Sequence, residues 1–178
     1  MQGRYRIVDH TADVALEARA TAPAALFDAA ARGMRALLVG ADEETAVAAP
    51  DAGAATEDAA APEDAAAPED AAAPDAAATP DVARVEQIAI EAHDPPELLV
   101  AWLRELLWLT NSRGWLYAGA TFDTLRLDGG PPCRLRAMVR GVEADAGELV
   151  RELKAVTYHD LVLERHGDGW SARVVFDV

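Results

Sequence analysis

Two carboxylates and an imidazole are crowded into five residues near the start of the chain, in the run Asp9-His10-Thr11-Ala12-Asp13. Such a cluster repels or competes internally unless a cation, a proton or a partner group satisfies it. The same residue types also suit an Asx-type turn, with Asp9 or Asp13 accepting hydrogen bonds from backbone N–H groups. Residue types alone leave both readings open. A second acidic pair closes the sequence, where the side chain of Asp177 lies beside the α-carboxylate of Val178. A hard divalent cation with oxygen ligands would relieve their mutual repulsion; a frayed acidic terminus is the plainer alternative. Asp13 would add a third oxygen if its strand and the last strand are neighbours in one sheet.

Lys154 is the only lysine beside fifteen arginines. A chain that otherwise uses Arg for positive charge holds here a compact ammonium on a flexible stem, whose pKa burial can shift. Chance explains a single lysine equally well. His10 and His159 are weaker candidates, because a lone histidine beside strand residues is more often a hydrogen-bonded structural group than a ligand. His93 and His166 read as surface and turn residues. Cys133, the only cysteine, follows Pro131-Pro132 at the start of a strand and reads as a packed thiol rather than a nucleophile. It rules out an intrachain disulfide and favours an intracellular, cytoplasmic setting. There is no Gly-rich phosphate loop ending in Lys-Ser/Thr, no Gly-x-Ser-x-Gly and no Cys-x-x-Cys.

The elements that must hold these residues follow from periodicity. Tyr5 to Val8 and the alternating Val14, Leu16, Ala18 and Ala20 predict two strands joined through the polar run. Pro23 begins a helix whose apolar stripe is Leu26, Ala30, Met34, Leu37 and Leu38, and Gly40 ends it. A strand over residues 83–92 leads to Asp94-Pro95-Pro96-Glu97, the start of a second helix. From Leu98 to Thr110 that helix is apolar on most sides, which predicts a central core position, with Gly114 closing it. Strands follow over Trp115 to Leu127, Cys133 to Val142 and Ala155 to Glu164, with a turn at Asp128-Gly129-Gly130. Residues 145–153 predict a short helical turn. Gly167-Asp168-Gly169 makes a hairpin into a last strand, Trp170 to Asp177. The fold class is α+β: an antiparallel, sheet-rich single domain over residues 1–178, with two main helices packed on the sheet.

The formal charge of −15 is concentrated in one tract. Residues 42–81 carry 12 acidic residues and no basic ones, leaving 19 acidic against 16 basic elsewhere. Within the tract Glu57-Asp58-Ala59-Ala60-Ala61-Pro62 recurs as Glu63 to Pro68 and Glu69 to Pro74. Proline every six residues breaks helix, and without Leu, Ile or aromatic side chains little can be buried against the ordering entropy. The domain is therefore expected to be interrupted by a disordered, acidic, Ala/Pro-rich insert at about 48–81, whose natural target is a basic partner surface. No apolar run reaches the ~18–20 residues of a membrane span, and no secretory segment opens the sequence. Without a basic stripe interleaved with aromatics, tight direct RNA binding is disfavoured.

With His10-Thr11-Ala12-Asp13, the segment Lys154-Ala155-Val156-Thr157-Tyr158-His159 and the ending Val174-Val175-Phe176-Asp177-Val178 complete a pattern that resembles the archease family. The resemblance covers the chain outside roughly residues 42–81, with Leu98 to Leu109 as the family's second helix. It implies an archease-like α+β fold and a non-catalytic activator of the RtcB-type RNA ligase, in tRNA splicing or RNA repair. That ligase forms a covalent guanylate on its own histidine, and the activator would speed guanylylation and sustain turnover. The resemblance further implies a divalent metal ion, calcium or manganese, on Asp13, Asp177 and Val178, with Lys154 as the functional lysine. His10 and His159 fall within matching segments and join Lys154 as activation residues; RNA is then met only through the ligase. Two alternatives are a metal-dependent hydrolase on the same carboxylates and a chaperone-like modulator of RNA-modifying enzymes. Too few ligands accompany a general base for the hydrolase to be preferred.

Overall fold

The computed structural model describes residues 3–9, 13–41, 84–128, 130–145, 147–167 and 169–178. The predicted insert at 48–81 and the candidate His10 lie outside these described residues. The polar interruption after Val8 separates β1 (Arg4–Asp9) from β2 (Asp13–Ala20), which pair antiparallel. α1 (Pro23–Val39) starts on its proline and ends at Gly40, whose φ of 64° is the left-handed conformation glycine tolerates. β3 (Arg84–Ala92) precedes α2 (Pro95–Arg113). The side chain of Asp94 caps α2 by accepting from the Glu97 N–H at 2.8 Å, and Glu97 in return accepts from the His93 N–H at 2.7 Å. β4 (Trp115–Arg126), β5 (Cys133–Glu143), β6 (Ala155–His166) and β7 (Gly169–Asp177) complete the order.

Among the described residues the fold is α+β with antiparallel strands and two helices, as expected, and the strands divide into two sheets. One has the order β1-β2-β7-β6, the other β3-β5-β4. α1 packs on β1, β2 and β4, while α2 packs on β6, β3 and β4, so the helices lie between the sheets. This explains why both are apolar on more than one side. Trp102 of α2 is fully buried, lies edge-on to Tyr117 and tilted against Phe122, and donates its indole N–H to the Phe27 carbonyl of α1. Phe27, Met34, Leu103, Leu16 and Phe176 are buried around it, each contributing about 1.5–3 kcal/mol on leaving water. β5, the centre of its sheet, alternates strictly: Cys133, Leu135, Ala137 and Val139 face inward, and Arg134, Arg136 and Arg140 outward.

The short helical turn expected over 145–153 does not form. A single turn is present, with the Glu148 N–H donating to the Asp145 carbonyl at 3.0 Å. The Val150 and Arg151 N–H groups instead both donate to the Leu38 carbonyl, at 2.9 and 3.2 Å. Carbonyls in the last turn of a helix lack intrahelical partners, and this one captures donors that a new helix would have needed. Leu153, fully buried, then anchors the chain just before β6.

Candidate functional site

β7 lies between β2 and β6, and this placement makes the site. Asp13 at the start of β2 stands directly opposite Asp177 at the end of β7, and Ala155 at the start of β6 flanks Asp177 on the other side. Directly opposed residues share a face. Val14, Phe176 and Val156, one step along each strand, are all buried, so the two carboxylates stand on the face turned away from the core. Asp13 is half-buried and Asp177 exposed.

Lys154 enters by two bonds. Its N–H donates to the Asp177 carbonyl at 2.9 Å, and its Nζ donates to the main-chain oxygen of Val178 at 2.8 Å. The ammonium is therefore fixed at the end of β7, beside the acidic pair. Val178 itself packs partly on the core. Three of the residues singled out from the sequence with Asp13, namely Lys154, Asp177 and Val178, thus meet at one end of one sheet.

His159 is placed differently. Between Thr157 and Val162, β6 makes five residue steps while its partner β7 makes two, from Val175 to Arg173. His159 sits in this bulge beside Asp160, whose φ is 49°. Its N–H donates to Thr157 Oγ1 at 3.3 Å, and its Nε2 lies 3.6 Å from Asp160 Oδ2. Its polar contacts thus stay within the bulge. His10 lies outside the described residues.

Two positioning residues were missed from the sequence. Arg104 donates from Nε and Nη2 to the Val156 carbonyl, at 3.1 and 2.9 Å, and lies 4.8 Å from the centre of the Tyr158 ring. Asn111 donates to the Leu153 carbonyl at 3.2 Å. Together they clamp the backbone on both sides of Lys154 to α2. A signal for them was available: two polar residues seven apart share one face of an otherwise apolar helix.

The remaining candidates behave as structural groups. Cys133 is buried, donates weakly to the Leu127 carbonyl at 3.5 Å, and burial pushes its thiol pKa up, opposite to what a nucleophile needs. His166 lies 3.0 Å from Glu164 on the surface. Burial also raises the pKa of Tyr117, whose hydroxyl donates to Asp28 at 2.7 Å.

Asp13, Asp177 and the Val178 oxygen form an all-oxygen donor set, which suits a hard cation rather than a soft one. Among the described residues no group of three or more His, Cys, Asp or Glu side chains could hold a metal. With the Val178 oxygen the two carboxylates offer about three to five of the roughly six to eight oxygens calcium takes, depending on whether each binds through one oxygen or both. Among those residues, too, no helix is long and apolar enough to cross a membrane.

The arrangement defines a class: an α+β scaffold of helices between two antiparallel sheets, presenting an acidic pair and a backbone-fixed lysine at one sheet end. The family model described as "Archease protein family (MTH1598/TM1083)" matches residues 5–62 and 52–178, and the chain belongs to the archease family. "Protein archease" of Pyrococcus furiosus is 34% identical over 92 residues, covering 51% of this chain and 65% of that protein. The Methanosarcina barkeri protein of the same name is 34% identical over 94 residues, covering 52% and 64%. The chain thus spans just under two thirds of the length of these relatives. The solution structure of Methanobacterium thermoautotrophicum protein 1598 superposes with a TM-score of 0.61 at 20% identity, covering 98% of each chain, and so shares the fold.

Proposed function

We propose that this protein is a non-catalytic activator of an RtcB-type RNA ligase, promoting ligase guanylylation and multiple turnover in tRNA splicing or RNA repair. The observation that carries the reading is the juxtaposition of Asp13 and Asp177, with Lys154 held to the Asp177 and Val178 main-chain oxygens. Membership of the archease family supports it. Asp13, Asp177 and the Val178 oxygen would hold calcium or manganese, completed by water or by groups of the ligase. Bound there, the ion would neutralise the carboxylate pair and present positive charge to a phosphate.

Lys154 contributes a point charge to a phosphate or an acidic group of the ligase. Its stem is exposed, its backbone is fixed on both sides, and its Nζ has one bond to exchange. His159, exposed on the bulge of β6, would touch the same partner, and His10 joins the activation residues by its motif. RNA is met through the ligase, and the protein works in the cytoplasm. The test is ligase guanylylation from labelled GTP, with ligase substoichiometric, with and without this protein. Activation that is lost in Asp177→Asn and Lys154→Ala is expected. Guanylylation unchanged by the wild-type protein would overturn the proposal.

A further inference from the structure

At the other end of the same strands the surface changes sign. Arg4 of β1 stands directly opposite Arg19 of β2, and Arg19 opposite Ser171 of β7, in one row. The row lies on the solvent side, since Ala18 and Ala172 beside it are buried. Like charges directly opposed on a sheet destabilise it unless something sits between them. Here no described carboxylate does so. Glu17, one row away, is bonded to Arg6 at 2.8 Å and Arg173 at 3.1 Å and reaches Arg19 through its charge alone, without a bond. Glu164, at the far end of the row beyond Ser171, is taken by His166 at 3.0 Å. Among the described residues, neither the Arg4 nor the Arg19 side chain has a hydrogen-bond or salt-bridge partner.

Both arginines line a cavity of about 680 Å³, with Thr21, Ser171, His166 and Trp170 among the other walls. That volume is within the range of small-molecule sites, roughly 300–1,000 Å³. Two guanidinium forks present the planar donor geometry that fits phosphate oxygens, and the two hydroxyls add neutral donors. Trp170, paired with Ala20, is turned to the core side of the sheet and borders the cavity at the strand ends, with Arg165 5.9 Å from its ring. We infer that this cavity binds a phosphate monoester of a small organic molecule, with the phosphate between Arg4 and Arg19 and the organic part running past the strand ends to Trp170. The site is separate from the acidic pair, six residues along β2 from Asp13, or about 20 Å at strand rise.

The test is amide chemical-shift titration of the full chain with inorganic phosphate, adenosine 5′-monophosphate and a single-stranded RNA dodecamer, each alone. Saturable shifts at Arg4, Arg19, Thr21 and Ser171 are expected with the first two, tighter for the monophosphate because its organic part reaches Trp170. Arg19→Gln should weaken the monophosphate about tenfold, as loss of a charge-assisted contact does. Arg19→Lys, which keeps the charge and loses the fork, should fall between. Arg134→Gln, whose arginine pairs with Glu91 on the other sheet, should bind like wild type. The like-charge contact also predicts that Arg19→Gln melts no lower than wild type, a readout independent of any ligand. Absence of saturable shifts, equal binding by Arg19→Gln, or response to the RNA alone would each overturn the inference.

Discussion

Replacing Asp177 by Asn should change the sign of its effect on stability according to whether divalent metal is present. Asp13 and Asp177 are directly opposed on neighbouring strands, where Cα atoms are about 4.5–5.5 Å apart. Carboxylates about 5 Å apart at a solvent-facing sheet end repel by about 0.8 kcal/mol in a water-like dielectric. The Lys154 ammonium at Val178 offsets part of this. In EDTA and low salt, Asp177→Asn should therefore be more stable than wild type by about 0.5 kcal/mol, a rise in melting temperature of about 1–2 °C. A two-carboxylate calcium site has a dissociation constant on the order of 10⁻⁴–10⁻³ M. At 10 mM calcium that gives wild type about 1.4–2.7 kcal/mol by mass action, or about 3–10 °C. Wild type should then melt above the variant, the reverse of their order in EDTA. Scanning calorimetry of both proteins in EDTA, calcium and manganese reads this directly. Loss of stability by Asp177→Asn in EDTA would refute the repulsion. An equal calcium shift in both proteins would refute the site.

Lys154→Arg should fold normally, with its melting temperature within about 2 °C of wild type, because one exposed charge-assisted bond contributes well under 1 kcal/mol. Its activation of ligase guanylylation should nonetheless fall at least about tenfold, on the order of 1.4 kcal/mol, since a planar guanidinium does not fit where a compact ammonium makes the contact. The hydrogen bond from Arg6, with Arg173 adding charge, holds the Glu17 carboxyl below its ordinary value. Its stabilisation is thus complete above the ordinary carboxylate range and lost as pH falls through the lowered value. Urea midpoints should accordingly show wild type ahead of Glu17→Gln at pH 7, the gap narrowing as pH falls below the ordinary carboxylate range. Cys133 should react with iodoacetamide only on unfolding, because its thiol is buried with a raised pKa. Mass spectrometry after native and denatured labelling would show this, and rapid native labelling would contradict it.

Local chemistry was legible in the sequence wherever it acts over a few residues. Asp94 and Glu97 marked the start of α2, and Gly40 and Gly114 the two helix ends. The division into two sheets was not legible, because it depends on which strands pair, and Asp13 meets Asp177 across nearly the whole chain. The sequence posed that meeting as a condition; only the register of β2 with β7 meets it. The bulge of β6 was hidden for a similar reason, since extra residues appear only against the partner strand. Arg104 and Asn111 were overlooked because an apolar helix draws the eye to its core residues, whereas their carbonyl partners lie in another element. The turn at residues 147–148 went the other way: helix-compatible residues lost to a competing acceptor on α1.

β6 ends its sheet, and the open side of such a strand is where foreign chains add themselves and begin to aggregate. The clamp from Arg104 and the excursion around Asp160 answer that hazard at once. Arg104 occupies the Val156 carbonyl, and residues 158–161 leave the regular ladder, so an incoming strand finds the regular row broken and resumed only over residues 162–166. The strand that follows Lys154 can therefore stay uncovered without also being adhesive to copies of itself.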